Sequence, residues 1–525
     1  MSIADAVSTW LAGRYPQEAA LAGRVAKLLA EARLAGDTQA PIDADEAQRL
    51  VAVGAASGEI GAAPLILRNG AVAWSACARD ESDLASRLRL LASAPITSAS
   101  AVQRPLIALG QDASQDAAVR LAVEQRLAVI VGGPGTGKTT TVLRALTALL
   151  AGGDLTIRLA APTGKAAARL RAAIEHGLAQ VPEALRERLA HAAQETVTVH
   201  RLLGWNAATA RFRHNAEARL AADVVVVDEA SMLDIHLAAA LARALPARSR
   251  LLLVGDDGQL PSVEAGAVLR DLVAGLPGQV ARLTTVHRQA GAASGLRALS
   301  PALRVGDAAA AEAVLAAGHD DAVCVAHAAA WPQVRAVIKP WAESVIGATD
   351  PATALAMLPL LMVLAATREG PWSVADLQMR IEAMLGSRPE DAGPVHRHGR
   401  PLLITANDHR LGLANGDLGV LWECDGRLSA CFADGSGGVR RLAPARLPAH
   451  ETGWVTTVHK AQGSEAVMVV AVLPPAPHPL ASRELIYTAV TRARERVLLV
   501  GDAPLLAAAL MRREQRRTLL TSLLA

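Results

Sequence analysis

One stretch, Leu127 to Thr141, limits what this chain can fold into. It reads L-A-V-I-V-G-G-P-G-T-G-K-T-T-T, and a helix-like segment, Val142 to Leu150, follows it. An apolar run too short for a helix breaks into a glycine-rich turn, which predicts a buried strand, a loop and a helix in that order. The turn fits G-x-x-x-x-G-K-[ST], from Gly132 through Gly133, Pro134, Gly135, Thr136, Gly137, Lys138 and Thr139, with Thr140 next. Glycines let backbone N–H groups curl round a phosphate chain, and the helix presents its positive end to it. Lys138 is placed to reach the β and γ phosphates and the Thr139 hydroxyl to ligate Mg²⁺. A plain glycine-rich connection is the alternative, but the whole pattern in its strand and helix setting points to a nucleoside triphosphate.

From Ser114 onward strands alternate with helices, the signature of a mainly parallel sheet. Gln115 opens a predicted helix, Gln115 to Leu127, just upstream of the loop; it is placed to read an adenine edge, or is simply solvated. Leu159 to Ala161 is a strand ending in Pro162-Thr163-Gly164-Lys165, ahead of a helix bearing Arg169 and Arg171. Such a turn lies at the ligand-binding edge of a parallel sheet, where its N–H groups and Lys165 suit a nucleic-acid phosphate; a solvated basic face is the plainer reading. Thr198 and His200 are candidates to contact a nucleic-acid backbone, or a polar pair satisfied near the core. Residues 206–220 are polar and basic, an excursion from the sheet.

Asp223 to Ser231, D-V-V-V-V-D-E-A-S, is a β-branched strand that ends in two acids. Charge at a strand end is costly without a cation, so Asp228 is expected to hold Mg²⁺ through water and Glu229 to orient and deprotonate the attacking water. The strand Leu251 to Val254 leads to Gln259, placed to sense the γ phosphate, and Leu283 to Gln289 brings Arg288 within reach of a nucleotide.

With 525 residues the chain exceeds one core, and about 150 residues per domain suggests three or four units. A net charge of +3 confines any nucleic-acid surface to a local stripe. Cys77, Cys324, Cys424 and Cys431 lack C-x-x-C spacing and read as reduced packing residues of a cytoplasmic protein. The start of the chain shows no secretory pattern, and the apolar run Ala352 to Ala366 falls short of a membrane span, so it reads as a buried helix and strand. Residues 1–104 are rich in Ala, Leu and Arg, with helical spacing over Ala19 to Leu34 and Glu81 to Leu91 and two short strands round Asn69-Gly70. A partner-docking domain and an autonomous cap both fit them.

The order and wording of these motifs resemble superfamily 1 helicases, and within them the RecD family. The match is carried by G-G-P-G-T-G-K-T-T-T, L-A-A-P-T-G-K-A-A-A-R-L, V-H-R-L-L-G, V-V-V-D-E-A-S-M and G-D-x-x-Q-L-x-S-V-E-A-G-A-V-L. It continues with H-R-Q, R-E-G-P-W from Arg368, N-D-x-x-L-G-L-x-N-G-D-L-G from Asn407, R-L-P-x-H-E-T from Arg446, V-H-K-A-Q-G-S-E from Val458 and R-E-L-I-Y-T-A-V-T-R-A-R from Arg483. These strings span residues 115 to 500, and the first hundred match only in character.

The resemblance implies an α/β fold with two RecA-like P-loop NTPase domains, each a parallel sheet flanked by helices. It places the first motor domain at 105–290 and the second at 291–525, after a mostly helical 1–104, with an SH3-like, barrel-like insertion over 408–452. It implies ATP and Mg²⁺ as cofactors, 5′ to 3′ translocation on DNA, and RecB and RecC as partners in exodeoxyribonuclease V. Asn407, Thr457 and His459 are then DNA-contacting positions, Gln462, Gly463 and Glu465 link DNA to nucleotide, and Arg492 is the arginine finger, on the sheet opposite Lys138. Arg494 and Arg496 read as a solvated helix face. Position 461, usually serine in the family, is alanine here. No separate nuclease cluster of acids with a lysine is visible. A stand-alone RecD-like helicase and a nucleotide-gated DNA-end-binding scaffold are the alternatives.

Overall fold

Strands with no polar face must be covered on both sides, and the run Leu127–Gly132 is buried at every position. In the computed structural model, which describes residues 2–94, 112–287, 294–386, 397–408, 410–424, 426–434 and 438–525, it lies inside a six-stranded sheet. The strand order is Val280–Leu283, Leu127–Gly132, Arg250–Gly255, Val224–Val227, Ile157–Ala161, Val197–Thr198, with every pair parallel. Leu127, Val129 and Val131 enter the core on one face, and Ala128 and Ile130 enter the core on the other. All carboxyl ends of these strands therefore share one edge.

The chain forms two units. One comprises Met1–Asp257, Pro261–Arg288 and Gln515–Ala525, the other Gly258–Leu260 and Gln289–Glu514. This changes the expected boundaries in three places. Residues 1–94 do not part from the first motor core at 104. The helix Ser75–Ser93 sends Leu84, Leu88 and Leu91, at helical spacing, into the same core as Leu127 and Val129. Gln515–Ala525, expected in the second motor domain, belongs to the first unit because Leu520 and Leu524 are buried in that same core. Gly258–Leu260, expected in the first, packs in the second: Leu260 joins a core that contains Leu485, Ile486 and Tyr487.

The amino-terminal part also has a core of its own, built on Leu11, Leu21, Val25, Leu29, Leu50 and Val72. Its small sheet runs Gln39–Pro41, Ala71–Trp74, Leu65–Arg68, Ala56–Ser57. The Asn69-Gly70 turn is present, both residues having positive φ (50° and 74°), the geometry that a tight two-residue hairpin requires.

The second unit holds a five-stranded parallel sheet, in the order Ala322–Val325, Ala493–Val500, Ala466–Val472, Leu361–Ala365, Val455–Thr457. The segment read as buried helix and strand is the helix Pro351–Met357 followed by the strand Leu361–Ala365. Arg494 and Arg496 lie on the strand Ala493–Val500, not on a helix: hydrogen-bonded pairing with Ala466–Val472 overrides local propensity. The insertion begins earlier than residue 408. It is an antiparallel sheet in the order Val439–Leu442, Arg427–Ala433, Leu418–Cys424, Pro401–Ile404, His450–Thr452. Among the described residues no helix is long and apolar enough to cross a membrane.

Candidate nucleotide and nucleic-acid site

The glycine-rich loop leaves the sheet at Gly132, where a Cβ would come within 2.5 Å of Thr136 Oγ1 and 3.0 Å of Leu283 Cβ. Only glycine lets the loop lie that close. Gly137, left-handed at φ 79°, turns the chain into the helix Lys138–Gly152. Thr136 Oγ1 donates to Gly133 O (2.9 Å), and Lys138 Nζ donates to Gly132 O (2.8 Å) and Gly133 O (3.0 Å). The ammonium is thus held over the loop at the positive end of a fifteen-residue helix, a setting that favours a phosphate chain. Pro134, Gly135, Thr139 and Thr140 complete the rim.

Gln115 is buried rather than solvated. Its Nε2 donates to Thr136 O (3.2 Å) and its Oε1 accepts from Arg144 (3.4 Å), so its amide braces the loop from beneath. Beside it stands a residue that sequence reasoning passed over. Asp112 caps the helix Ala113–Glu124 by accepting from the N–H groups of Ser114 and Gln115, and its Oδ2 lies 2.8 Å from His287 Nε2. Burial pushes this carboxyl up, but hydrogen bonds from Ser114, His287 and the Ser114 and Gln115 backbone outweigh it and hold Asp112 well below the usual carboxylate range. His287 N–H also donates to Gly135 O (2.8 Å), which ties the segment leading to position 288 onto the loop. The signal in the sequence was the D-A-S-Q cap pattern. Arg288 itself lies outside the described residues.

The strand Val224–Val227 delivers the two acids to the same edge. Asp228 N–H continues the ladder to Ala160 O (3.0 Å), and Asp228 Oδ1 accepts from Glu229 N–H (2.9 Å). Glu229 has left-handed backbone (φ 52°, ψ 41°), a strained choice for a residue with a side chain and one that clusters at functional sites. Burial raises the Asp228 carboxyl above the usual carboxylate range, helped by the Glu229 charge and opposed by the Glu229 N–H, Lys138 and Arg169. A carboxyl withdrawn from water beside a second acid suits a cation. Thr139 hydroxyl and Asp228 carboxylate are hard oxygen donors, the set that Mg²⁺ takes when phosphates and water supply the rest.

The candidate nucleic-acid residues follow neighbouring strands. Thr163 Oγ1 caps the helix Gly164–Gly177 by accepting from Ala166 N–H (3.2 Å), with Pro162 and Lys165 half-buried on either side. Thr198 caps the turn Val199–Leu202 in the same way, accepting from Arg201 N–H (3.2 Å). The excursion that follows is a hairpin, Trp205–Asn206 paired with Arg211–Phe212. It packs Trp205 against Phe212 with ring centroids 4.8 Å apart and planes tilted by 56°, and His200 packs beside both, at 6.3 and 6.0 Å. Partial burial lowers the His200 ring below its ordinary value. Trp205 is 41% exposed, and Arg201, Arg211 and Arg213 are exposed around it. Sequence reasoning saw the basic residues and not the aromatic pair, because hairpin pairing is what brings Trp205 and Phe212 into contact.

In the second unit Arg492 is buried, its Nε donating to Thr488 O (3.1 Å) and its Nη1 to Ser464 O (3.4 Å). The peptide carrying the buried Gln259 is fixed nearby: Leu260 N–H donates to Thr488 Oγ1 and Gln462 Nε2 donates to Leu260 O, both at 2.9 Å. Glu465 pairs with Arg494 (3.3 Å). Thr457 Oγ1 accepts from Lys460 N–H (3.3 Å), with the half-buried His459 between them in sequence. Asn407 is turned to a local task, its Oδ1 accepting from Asn415 N–H (2.8 Å). Ala461 is buried in the core with Leu260 and Leu364, a position where a methyl group is at home.

A model described as an AAA domain matches residues 110–326, and one described as a UvrD-like helicase C-terminal domain matches residues 452–500. The chain is 43% identical over 420 residues to the RecBCD enzyme subunit RecD of Mycolicibacterium smegmatis, covering 77% of this chain and 73% of that protein. It is 33% identical over 477 residues to the protein of the same name from Haemophilus influenzae, covering 78% and 72%. It is 34% identical over 403 residues to the ATP-dependent RecD2 DNA helicase of Deinococcus radiodurans, covering 75% of this chain and 50% of that one. Among solved structures, the Bacteroides Pif1 helicase in complex with ADP-AlF3 and ssDNA matches with a TM-score of 0.42 and 16% identity, over 74% of this chain and 91% of that one. Identity of this extent over most of both sequences means that the chain belongs to the RecD family of superfamily 1 helicases.

Proposed function

We propose that the chain is an ATP-driven 5′ to 3′ DNA translocase, and that it works as the RecD subunit of a RecBCD-type helicase–nuclease together with RecB and RecC. The observation that carries the reading is the shared edge of the six-stranded sheet. Lys138, Asp228 and Glu229 follow strands parallel to those that lead to Thr163 and Thr198, so fuel and track are handled by adjacent loops of one rigid sheet. In this mechanism Lys138 and the helix start hold the β and γ phosphates, and Thr139 and Asp228 would hold Mg²⁺, which would supply charge to neutralise the phosphates. Glu229 orients the attacking water and accepts its proton; Gln259, Arg288 and Arg492 meet the charge developing on the transferred group. The polarity rests on family resemblance. The complex is favoured over a stand-alone motor by coverage: the match takes in 73% and 72% of the two relatives named as RecBCD subunits but 50% of the RecD2 helicase. Cleavage of DNA is assigned to another subunit.

The test compares DNA-stimulated ATP hydrolysis in the wild type and Lys138→Gln. The variant should fall by about a hundredfold or more, the scale of removing one charge-stabilising contact. Equal rates overturn the motor. Unwinding of substrates with a 5′ or a 3′ overhang decides polarity, and DNA cleavage by the pure chain with Mg²⁺ would contradict the assignment of the nuclease.

A further inference from the structure

A groove of about 1170 Å³ runs through the amino-terminal part of the first unit. Its walls are the helix Ile3–Arg14, the end of the helix Ala19–Leu34, the start of Ser75–Ser93 and the loop at Val263. Four large apolar side chains line it and still face solvent: Leu34 (83% exposed), Ile3 (82%), Val263 (66%) and Trp10 (53%). Single exposed apolar residues are ordinary. Four round one concavity mark a surface that spends its working life covered.

The groove is open to solvent and lies at the upper end of the roughly 300–1,000 Å³ of small-molecule pockets or just beyond it, room enough for a polypeptide segment. Charge narrows the occupant further. Arg14, Arg33 and Arg79 line the groove against one acid, Glu264, and none of the three arginines pairs with a carboxylate among the described residues. DNA would answer the charge but not most of the wall, because aliphatic Ile3, Val7, Leu34 and Val263 outnumber the two aromatic faces, Trp10 and Trp74, on which bases could stack. An amphipathic acidic segment answers both.

We propose that this groove receives a segment of a partner protein whose apolar ridge seats between Ile3, Trp10, Leu34 and Val263 and whose flanking carboxylates meet Arg14, Arg33 and Arg79. The proposal rests on the reading of the chain as a subunit, and it names the surface and the chemistry of that contact.

The experiment co-expresses the full chain with the RecB and RecC counterparts of its own organism. It uses the wild type, Leu34→Asp, and Arg14→Glu with Arg79→Glu; all three altered side chains are exposed, so the fold does not depend on them. Recovery of the assembled complex should fall by about tenfold in both variants, the effect of losing one good contact. ATP hydrolysis by the isolated chain on single-stranded DNA should stay at the wild-type level. A photo-crosslinking residue at position 10 should capture a partner peptide that carries apolar residues flanked by acids. Failure of the wild type to assemble sinks the subunit reading and this proposal together. Wild-type assembly with undiminished variants, or a crosslink that reaches only DNA or a second copy of the chain, overturns the groove alone.

Discussion

Leu260 and Thr488 are joined by a hydrogen bond from the Leu260 N–H to the Thr488 hydroxyl, 2.9 Å long and fully buried. Thr488 uses its other end as well, since its carbonyl accepts from Arg492 Nε. One threonine thus fixes both the peptide that carries Gln259 and the guanidinium proposed to serve the γ phosphate. Thr488→Val keeps the shape and removes the hydroxyl. It should lower kcat for DNA-stimulated ATP hydrolysis by about tenfold while KM for ATP stays within about twofold, because placement is lost and ground-state binding is not. Thr488→Ser should restore the rate. A rise in KM with unchanged kcat would show that this hydrogen bond does not serve the chemical step.

Asp112 and His287 act on binding instead. They brace the loop through Gly135 and the Gln115 helix, so Asp112→Ala removes a helix cap and an anchor at once, at a cost of about 1 kcal/mol for the cap. KM for ATP should rise by about fivefold. Measurement of ATP binding by isothermal titration checks this, and unchanged affinity would leave Asp112 a purely structural cap.

The aromatic pair gives a separable phenotype. Trp205→Ala should weaken single-stranded DNA binding by about five- to a hundredfold, the worth of one stacked base. ATP hydrolysis without DNA and the melting temperature should not change. Fluorescence anisotropy with a labelled oligonucleotide reads the effect, and wild-type affinity would remove the hairpin from the DNA path.

Glu81 supplies a pH test. It is fully buried, accepts from Thr38 Oγ1 (3.0 Å) and Leu519 N–H (2.9 Å), and burial raises its carboxyl from 4.5 to about 7. The folded protein therefore keeps a proton that the unfolded chain has released between about 4.5 and about 7. Stability from this group falls as pH rises through that window and levels off above it. Glu81→Gln should raise the melting temperature at pH 8 by about 2 °C or more and leave it unchanged at pH 5. A variant less stable than the wild type at pH 8 contradicts the burial argument.

The sequence alone determined the parts whose physics is local. A loop that must pass within van der Waals reach of its neighbours and then start a helix has to be glycine, lysine and threonine in fixed order, so Gly132 to Thr139 was legible from spacing. The four valines before Asp228 gave their strand away in the same manner, as did the Asn69-Gly70 turn. Tertiary structure decided what depends on which distant surface a segment buries. Leu84, Leu88 and Leu91 are spaced for a helix face, yet nothing in that spacing says that the face closes over the sheet of Leu127. Gly258–Leu260 follows a strand of the first unit and is held by the second, because Leu260 finds its core and its hydrogen bonds there. Arg494 reads as helical by neighbourhood and becomes a strand residue once Ala466–Val472 pairs with it. Periodicity records that a side chain will be covered; only the folded chain supplies what covers it.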